Sequence, residues 1–127
     1  HVLPTLPRAP DAIGFKAVHG GPISGAVRVT DDVLATMEAF ADVAPAHNPV
    51  YVRAMKSLRD KLPAVPQVAA FETAFHSSIP ASRQHYAIPH AWTEYYGIRR
   101  YGFHGASHRY VSERARELNP DARRMVH

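Results

Sequence analysis

Apolar residues come in short stretches separated by proline and glycine, with no single long period. Residues 12–18 (AIGFKAV) run apolar into His19-Gly20-Gly21-Pro22, a turn sequence, and predict a short, mostly buried strand. A weaker strand is predicted over 26–29. Thr30 followed by Asp31 and Asp32 predicts a helix start, because a hydroxyl can accept from a first-turn amide and carboxylates complement the positive end of the helix dipole. Val33, Met37, Phe40 and Ala41 then share one helical face until Ala44-Pro45. Asn48 reads as the cap of a second helix with Pro49 in its first turn. Tyr51, Met55, Leu58 and Leu62 form the apolar face of that helix, Arg53, Lys56 and Arg59 point elsewhere, and Pro63 stops it. Residues 67–71 (QVAAF) predict a second buried strand, followed by a loop through Ser77-Ser78-Ile79-Pro80 and a proline-interrupted aromatic stretch. A further helix is predicted from near Ala106 or Ser107, with Val111, Ala115 and Leu118 inward and Asn119-Pro120 at its end. The order is strand, helix, helix, strand, helix, then another strand, an α/β layer built partly on a parallel sheet.

Composition narrows the classes. With 46% apolar and 20% charged residues in 127, the chain is globular in character. No run approaches the ~20 apolar residues of a membrane helix. The absence of cysteine excludes a disulfide scaffold and any cysteine-based zinc site. The net charge of +4 suits an anionic substrate or nucleic acid, and equally a solvated surface. Residues 1–11, with three prolines, read as an N-terminal arm or loop, and 12–127 as the folded body. The chain starts at His1 without a charged-then-apolar signal segment, and an apolar stretch begins at Met125-Val126 where it stops; both ends read as cut from a longer cytoplasmic protein.

Four segments carry more functional groups than a core requires. In Lys16-Ala17-Val18-His19-Gly20-Gly21, a cation at a strand end precedes a glycine pair that would let backbone approach an anion, although a turn accounts for the glycines as well. In Ala44-Pro45-Ala46-His47-Asn48-Pro49, His47 and Asn48 sit where a helix begins, and capping is the plain explanation. In Phe71-Glu72-Thr73-Ala74-Phe75-His76, Glu72 follows a buried strand, where α/β folds gather ligands, and is the best candidate acid or metal-associated group. In Gly102-Phe103-His104-Gly105-Ala106-Ser107-His108, glycines flank an aromatic-histidine pair before a helix whose first N–H groups would attract anions. His104 and His108 could share a metal only on a continuous helix, and Gly105 argues against that; His76 and His85 read as ordinary core or surface histidines. Arginines interleaved with tyrosines over the C-terminal third raise a nucleic-acid reading, but no RNA-binding pattern accompanies them and a solvated helix face explains them better.

At these four segments, in this order, the sequence resembles the acetate kinase family from about Ile13 to about Val111. The resemblance implies a ribonuclease H-like, actin-like ATPase domain fragment, with layered helices on a mixed sheet. It places 12–127 in the later part of the first domain, with the second, nucleotide domain absent from the chain. The implied parent is a cytoplasmic transferase that moves phosphate between ATP and acetate, propionate or a related acid, giving acyl phosphate and ADP with Mg²⁺. Its expected partners are the carboxylate, ATP and the rest of its own polypeptide, with neither nucleic acid nor membrane; a homodimer of the parent is compatible.

The resemblance also assigns residues. Lys16, Glu72 and His104 take the catalytic positions, with Lys16, Val18, Ala46, His47 and Phe103 around the carboxylate substrate. His104 and Gly105 stand at the transferring phosphoryl group, Glu72 beside Mg²⁺ with water between them, and His108 in a supporting position. Four positions depart from the family. Lys16 replaces an arginine, keeping charge but losing the two-pronged fork. Glu72 replaces an aspartate, reaching one methylene farther. Ala46 replaces a leucine, which should widen the acyl pocket, and Ala106 stands where the signature has threonine. Such a site is either re-adjusted to a related acid or decayed, the latter making the chain a non-catalytic kinase-like binding module. The isolated chain is expected to be inactive.

Overall fold

The computed structural model describes residues 7–126, and the chain divides after Phe71 into two units. In the first unit the predicted strands form β1 (Ile13–Ala17) and β3 (Gln67–Phe71), which pair in parallel from Ile13↔Gln67 to Ala17↔Phe71. The weaker strand forms as β2 (Ala26–Arg28) and runs antiparallel along the other edge of β3, so the sheet is mixed with β3 in the centre. Period-two alternation sorts the side chains: Gln67, Ala69 and Phe71 are buried, while Val68 and Ala70 are exposed on the opposite face.

Helices α1 (Asp31–Ala39) and α2 (Asn48–Lys61) pack together over the buried face. The core joins Ala17, Val29, Ala69 and Phe71 to Val33, Leu34, Met37, Val52 and Met55. Leu34, Met37 and Met55 are its largest fully buried apolar side chains. Each such burial contributes about 1.5–3 kcal/mol, so the α1–α2 seam is central to the stability of this unit.

Thr30 caps α1 as predicted, its Oγ1 accepting from the Val33 amide at 3.3 Å. The helix is shorter than the apolar spacing suggests. Phe40 leaves it to pack on Gly21, where a Cβ would meet the Phe40 ring at 2.5 Å, and Ala41–Val43 form a 3-10 turn. In α2, Val52 joins Met55 in the core while Tyr51, Leu58 and Leu62 are half-buried, so the buried stripe is turned from the predicted one. Gln67, buried on β3, draws the helix in by donating from Nε2 to the Met55 carbonyl at 3.1 Å.

The second unit opens with a 3-10 turn (Glu72–His76) and continues through α3 (Ala81–Gln84), α4 (His90–Tyr96) and α5 (Gly105–Leu118). Val111 and Ala115 are half-buried, but Leu118 is 72% exposed, against expectation. The 72–76 turn meets α5 through Gly105 and His108 near the helix start. Leu118 stands 118 − 105 = 13 residues farther on, about 20 Å along the axis and beyond the reach of that turn. The strand predicted after α5 does not form: 119–126 are irregular, and the described residues of this unit contain no strand to pair with. Of the predicted N-terminal arm, 1–6 lie outside the described residues, and 7–11 form no helix or strand, with an Arg8–Asp11 ion pair at 3.1 Å.

Candidate functional site

In the first unit Lys16 lies on β1 opposite Ala70 in register, on the exposed face, because Ile13, Phe15 and Ala17 take the alternate positions toward the core. Val18 is half-buried just beyond the strand, and His19 is fully buried with its ring edge-on to Phe40, centroids 5.5 Å apart. The glycine pair has a packing role. A Cβ on Gly20 would meet the Phe71 ring at 2.7 Å, and Gly21 combines φ +59 with the Phe40 contact. Two aromatic rings therefore press on the backbone that the sequence offers equally to an anion.

Ala46 and His47 are exposed in the turn before α2. The sequence predicts Asn48 as the cap of that helix, but His47 occupies the cap position, without a side-chain hydrogen bond, and Asn48 is the first helical residue. Its fully buried side chain points elsewhere: Nδ2 donates to the His19 carbonyl at 2.9 Å and to the Met37 carbonyl at 3.1 Å. Met37 belongs to the last turn of α1, whose carbonyls have no acceptor role within the helix. One amide thus ties the turn after β1, the end of α1 and the start of α2, and so positions Val18 and His47 relative to each other.

In the second unit the turn carrying Glu72 and the loop carrying His104 pack directly together. A Cβ on Gly105 would collide with the Glu72 carbonyl oxygen and approach the Phe75 Cβ to 2.7 Å, so only glycine lets α5 start there. Glu72 is half-buried, and Phe103 and His104 are exposed. His104 has φ +55, the only non-glycine residue with positive φ among those described, and makes no side-chain cap for α5. Its left-handed backbone keeps it outside the helix that contains His108. The His108 ring is stacked on Phe75 at 6.0 Å and edge-on to His76 at 5.4 Å.

His76, read from sequence as ordinary, faces this loop: its Nε2 lies 2.7 Å from the Phe103 carbonyl oxygen. No local signal marks the contact that His76 makes or the tie that Asn48 makes, since both act on backbone carbonyls distant in sequence. Two of the arginines behind the nucleic-acid reading are engaged within the unit. Arg99 lies 4.0 Å over the Tyr101 ring and donates to Gln84 Oε1, and Arg100 donates to the Arg83 carbonyl at 3.0 Å. No helix among the described residues is long and apolar enough to cross a membrane.

A single carboxylate such as Glu72 is compatible with Mg²⁺, which keeps several waters and binds through one or two carboxylates plus substrate phosphates. Among the described residues no group of three or more histidines or carboxylates could cage a metal.

Comparison with known proteins covers both units. The profile described as the acetokinase family matches residues 5–125. An acetate kinase of Bacillus cereus is 50% identical over 107 residues, covering 84% of this chain and 27% of that protein. An acetate kinase of Thermosipho africanus is 50% identical over 109 residues, covering 85% and 27%. Among solved structures, a propionate kinase from Francisella tularensis aligns with TM-score 0.78 and 42% identity over 85% of this chain and 28% of that one. The Porphyromonas gingivalis acetate kinase aligns with TM-score 0.73 and 43% identity, over 85% and 27%. The chain therefore spans about a quarter of the length of these relatives.

Proposed function

Since this chain belongs to the acetokinase family and has its mixed α/β, actin-like ATPase fold, we propose that it is a segment of a kinase that transfers phosphate between ATP and a short carboxylate. The observation that carries the reading is the packing of the Glu72 turn on the His104 loop through Gly105, because phosphoryl transfer depends on positioning and charge neutralisation more than on covalent help from protein.

In the forward reaction a carboxylate oxygen attacks the γ-phosphorus of ATP, the bond to the β-phosphate oxygen breaks, and ADP leaves. Lys16 attracts the carboxylate and the transferring group. His104 donates a hydrogen bond to an equatorial phosphoryl oxygen, beside the Gly105 amide at the start of α5. By the family resemblance Val18 and Ala46, and separately Phe103, are assigned to the alkyl tail, and His47 to the carboxylate. Glu72 would hold Mg²⁺ through water, and that ion supplies neutralisation of phosphate charge. We assign the parent to the cytoplasm, a homodimer of that parent is compatible with the reading, and the 127 residues alone are expected to show no turnover.

The complete kinase chain, assayed with Mg-ATP and acetate, propionate and butyrate for acyl phosphate, tests the reading. Turnover with the longer acids at least matching acetate supports the wider pocket left by Ala46, and strict acetate preference refutes it. No acyl phosphate with any acid overturns the enzyme reading in favour of a binding module. Restoring the fork and the shorter acid together (Lys16→Arg with Glu72→Asp) raises acetate activity if the site has decayed, and lowers or leaves it if the site has re-adjusted.

A further inference from the structure

Phe103 is bracketed by two left-handed residues, Gly102 at φ +81 and His104 at φ +55. For glycine this is free, but for histidine the Cβ crowds the backbone, so neighbouring structure must hold it. The carbonyl between them meets the His76 side chain, with Nε2 at 2.7 Å from the Phe103 oxygen. A carbonyl can only accept, so Nε2 carries the proton. The imidazole cannot swing away easily. It lies edge-on to Phe75 at 5.2 Å and to His108 at 5.4 Å, and it rests against Gly102, where any Cβ would collide with it.

We infer that His76 is the positioning residue of the Phe103-His104 loop: its Nε2–H holds the Phe103 carbonyl and thereby fixes the peptide that aims the Phe103 ring and the His104 imidazole. The inference rests on the kinase reading for its catalytic consequence, but its structural content stands in the second unit alone. His76 itself does not touch the reacting atoms. The hydrogen bond comes from the turn that also carries Glu72, so acid and imidazole are positioned by a shared piece of backbone.

Two substitutions separate donor from bulk. His76→Phe keeps a ring against Gly102 and removes the donor, whereas His76→Gln keeps an amide N–H at comparable reach. In the 127-residue chain, ¹⁵N spectra of the ring are expected to show the Nε2–H form. The strong intraresidue Hα–HN NOE of His104 that marks positive φ should vanish in His76→Phe and return in His76→Gln. In the complete kinase, His76→Phe is expected to lower kcat about 10- to 100-fold with the KM for ATP unchanged, as a displacement near 1 Å does, and His76→Gln should recover most of it. An Nδ1–H ring, or a His104 NOE unchanged in His76→Phe, overturns the inference whether or not the kinase turns over. Equal kcat losses in both variants overturn it too. A wild-type chain without activity overturns the kinase reading and leaves the NMR comparison to decide the positioning role.

Discussion

Asn48→Ala removes one side chain and disturbs three elements. Its Nδ2 serves the His19 carbonyl at 2.9 Å and the Met37 carbonyl at 3.1 Å, all inside a site from which water is excluded. A buried acceptor that loses its partner costs about 1–3 kcal/mol, so two give roughly 2–6 kcal/mol. Local relaxation, and the second lone pair of each carbonyl, bring the expected loss to about 2–4 kcal/mol. Native-state hydrogen exchange reads this where the first unit is hydrogen-bonded, at the Val29 amide on the Gln67 carbonyl and the Phe71 amide on the Gly25 carbonyl. At about 1.4 kcal/mol per tenfold, those amides should exchange about 30- to 700-fold faster in Asn48→Ala. Asn48→Asp should be worse, because it sets a carboxylate against two carbonyl oxygens. Val50→Ala, at a position 54% exposed, is the control and should change little. An Asn48→Ala protein whose Val29 and Phe71 amides exchange within about threefold of wild type would refute the argument that this amide joins the three elements.

Other expectations follow from single contacts. Thr30→Ala should cost the first unit about 1 kcal/mol through loss of the α1 cap, with Thr30→Ser near wild type; the same exchange measurement checks it, and no loss would mean that the Val33 amide finds another acceptor. Gly105→Ala should separate α5 from the 72–76 turn, because the obstacle is the Glu72 backbone; disappearance of NOEs between the Phe75 and His108 rings is the readout, and their persistence would count against it. Glu38→Gln should lower stability by less than about 0.5 kcal/mol, and less again in high salt, since the Lys56–Glu38 pair at 2.6 Å is about half exposed at both ends. Urea melts at low and high ionic strength test that, and a large, salt-insensitive loss would contradict it.

The family was legible without coordinates. Lys16, Glu72 and His104, the residues proposed for the chemistry, sit in short motifs whose order and spacing mark that family, and such motifs are written locally. The elements with strong punctuation were legible too. Thr30 with its two aspartates started α1, Pro63 closed α2, and the apolar runs before His19 and Glu72 became β1 and β3. Periodicity was weaker where more than one neighbour competes for a face, so it assigned Phe40 to the helix that it leaves for Gly21, and it buried Leu118, which lies exposed.

Local order along the chain thus determined where elements begin and end and which functional groups they carry, because caps, prolines and alternation act within a few residues. Tertiary structure decided what each polar or small residue is for. Asn48 became a tie between carbonyls 29 and 11 residues away, the glycine pair a bed for Phe71 and Phe40, and His76 a donor to a carbonyl 27 residues on. The physical reason is that a hydrogen bond or ring contact depends on distance in space, and only the packed sheet, helices and turns bring those distant groups within about 3 Å of one another.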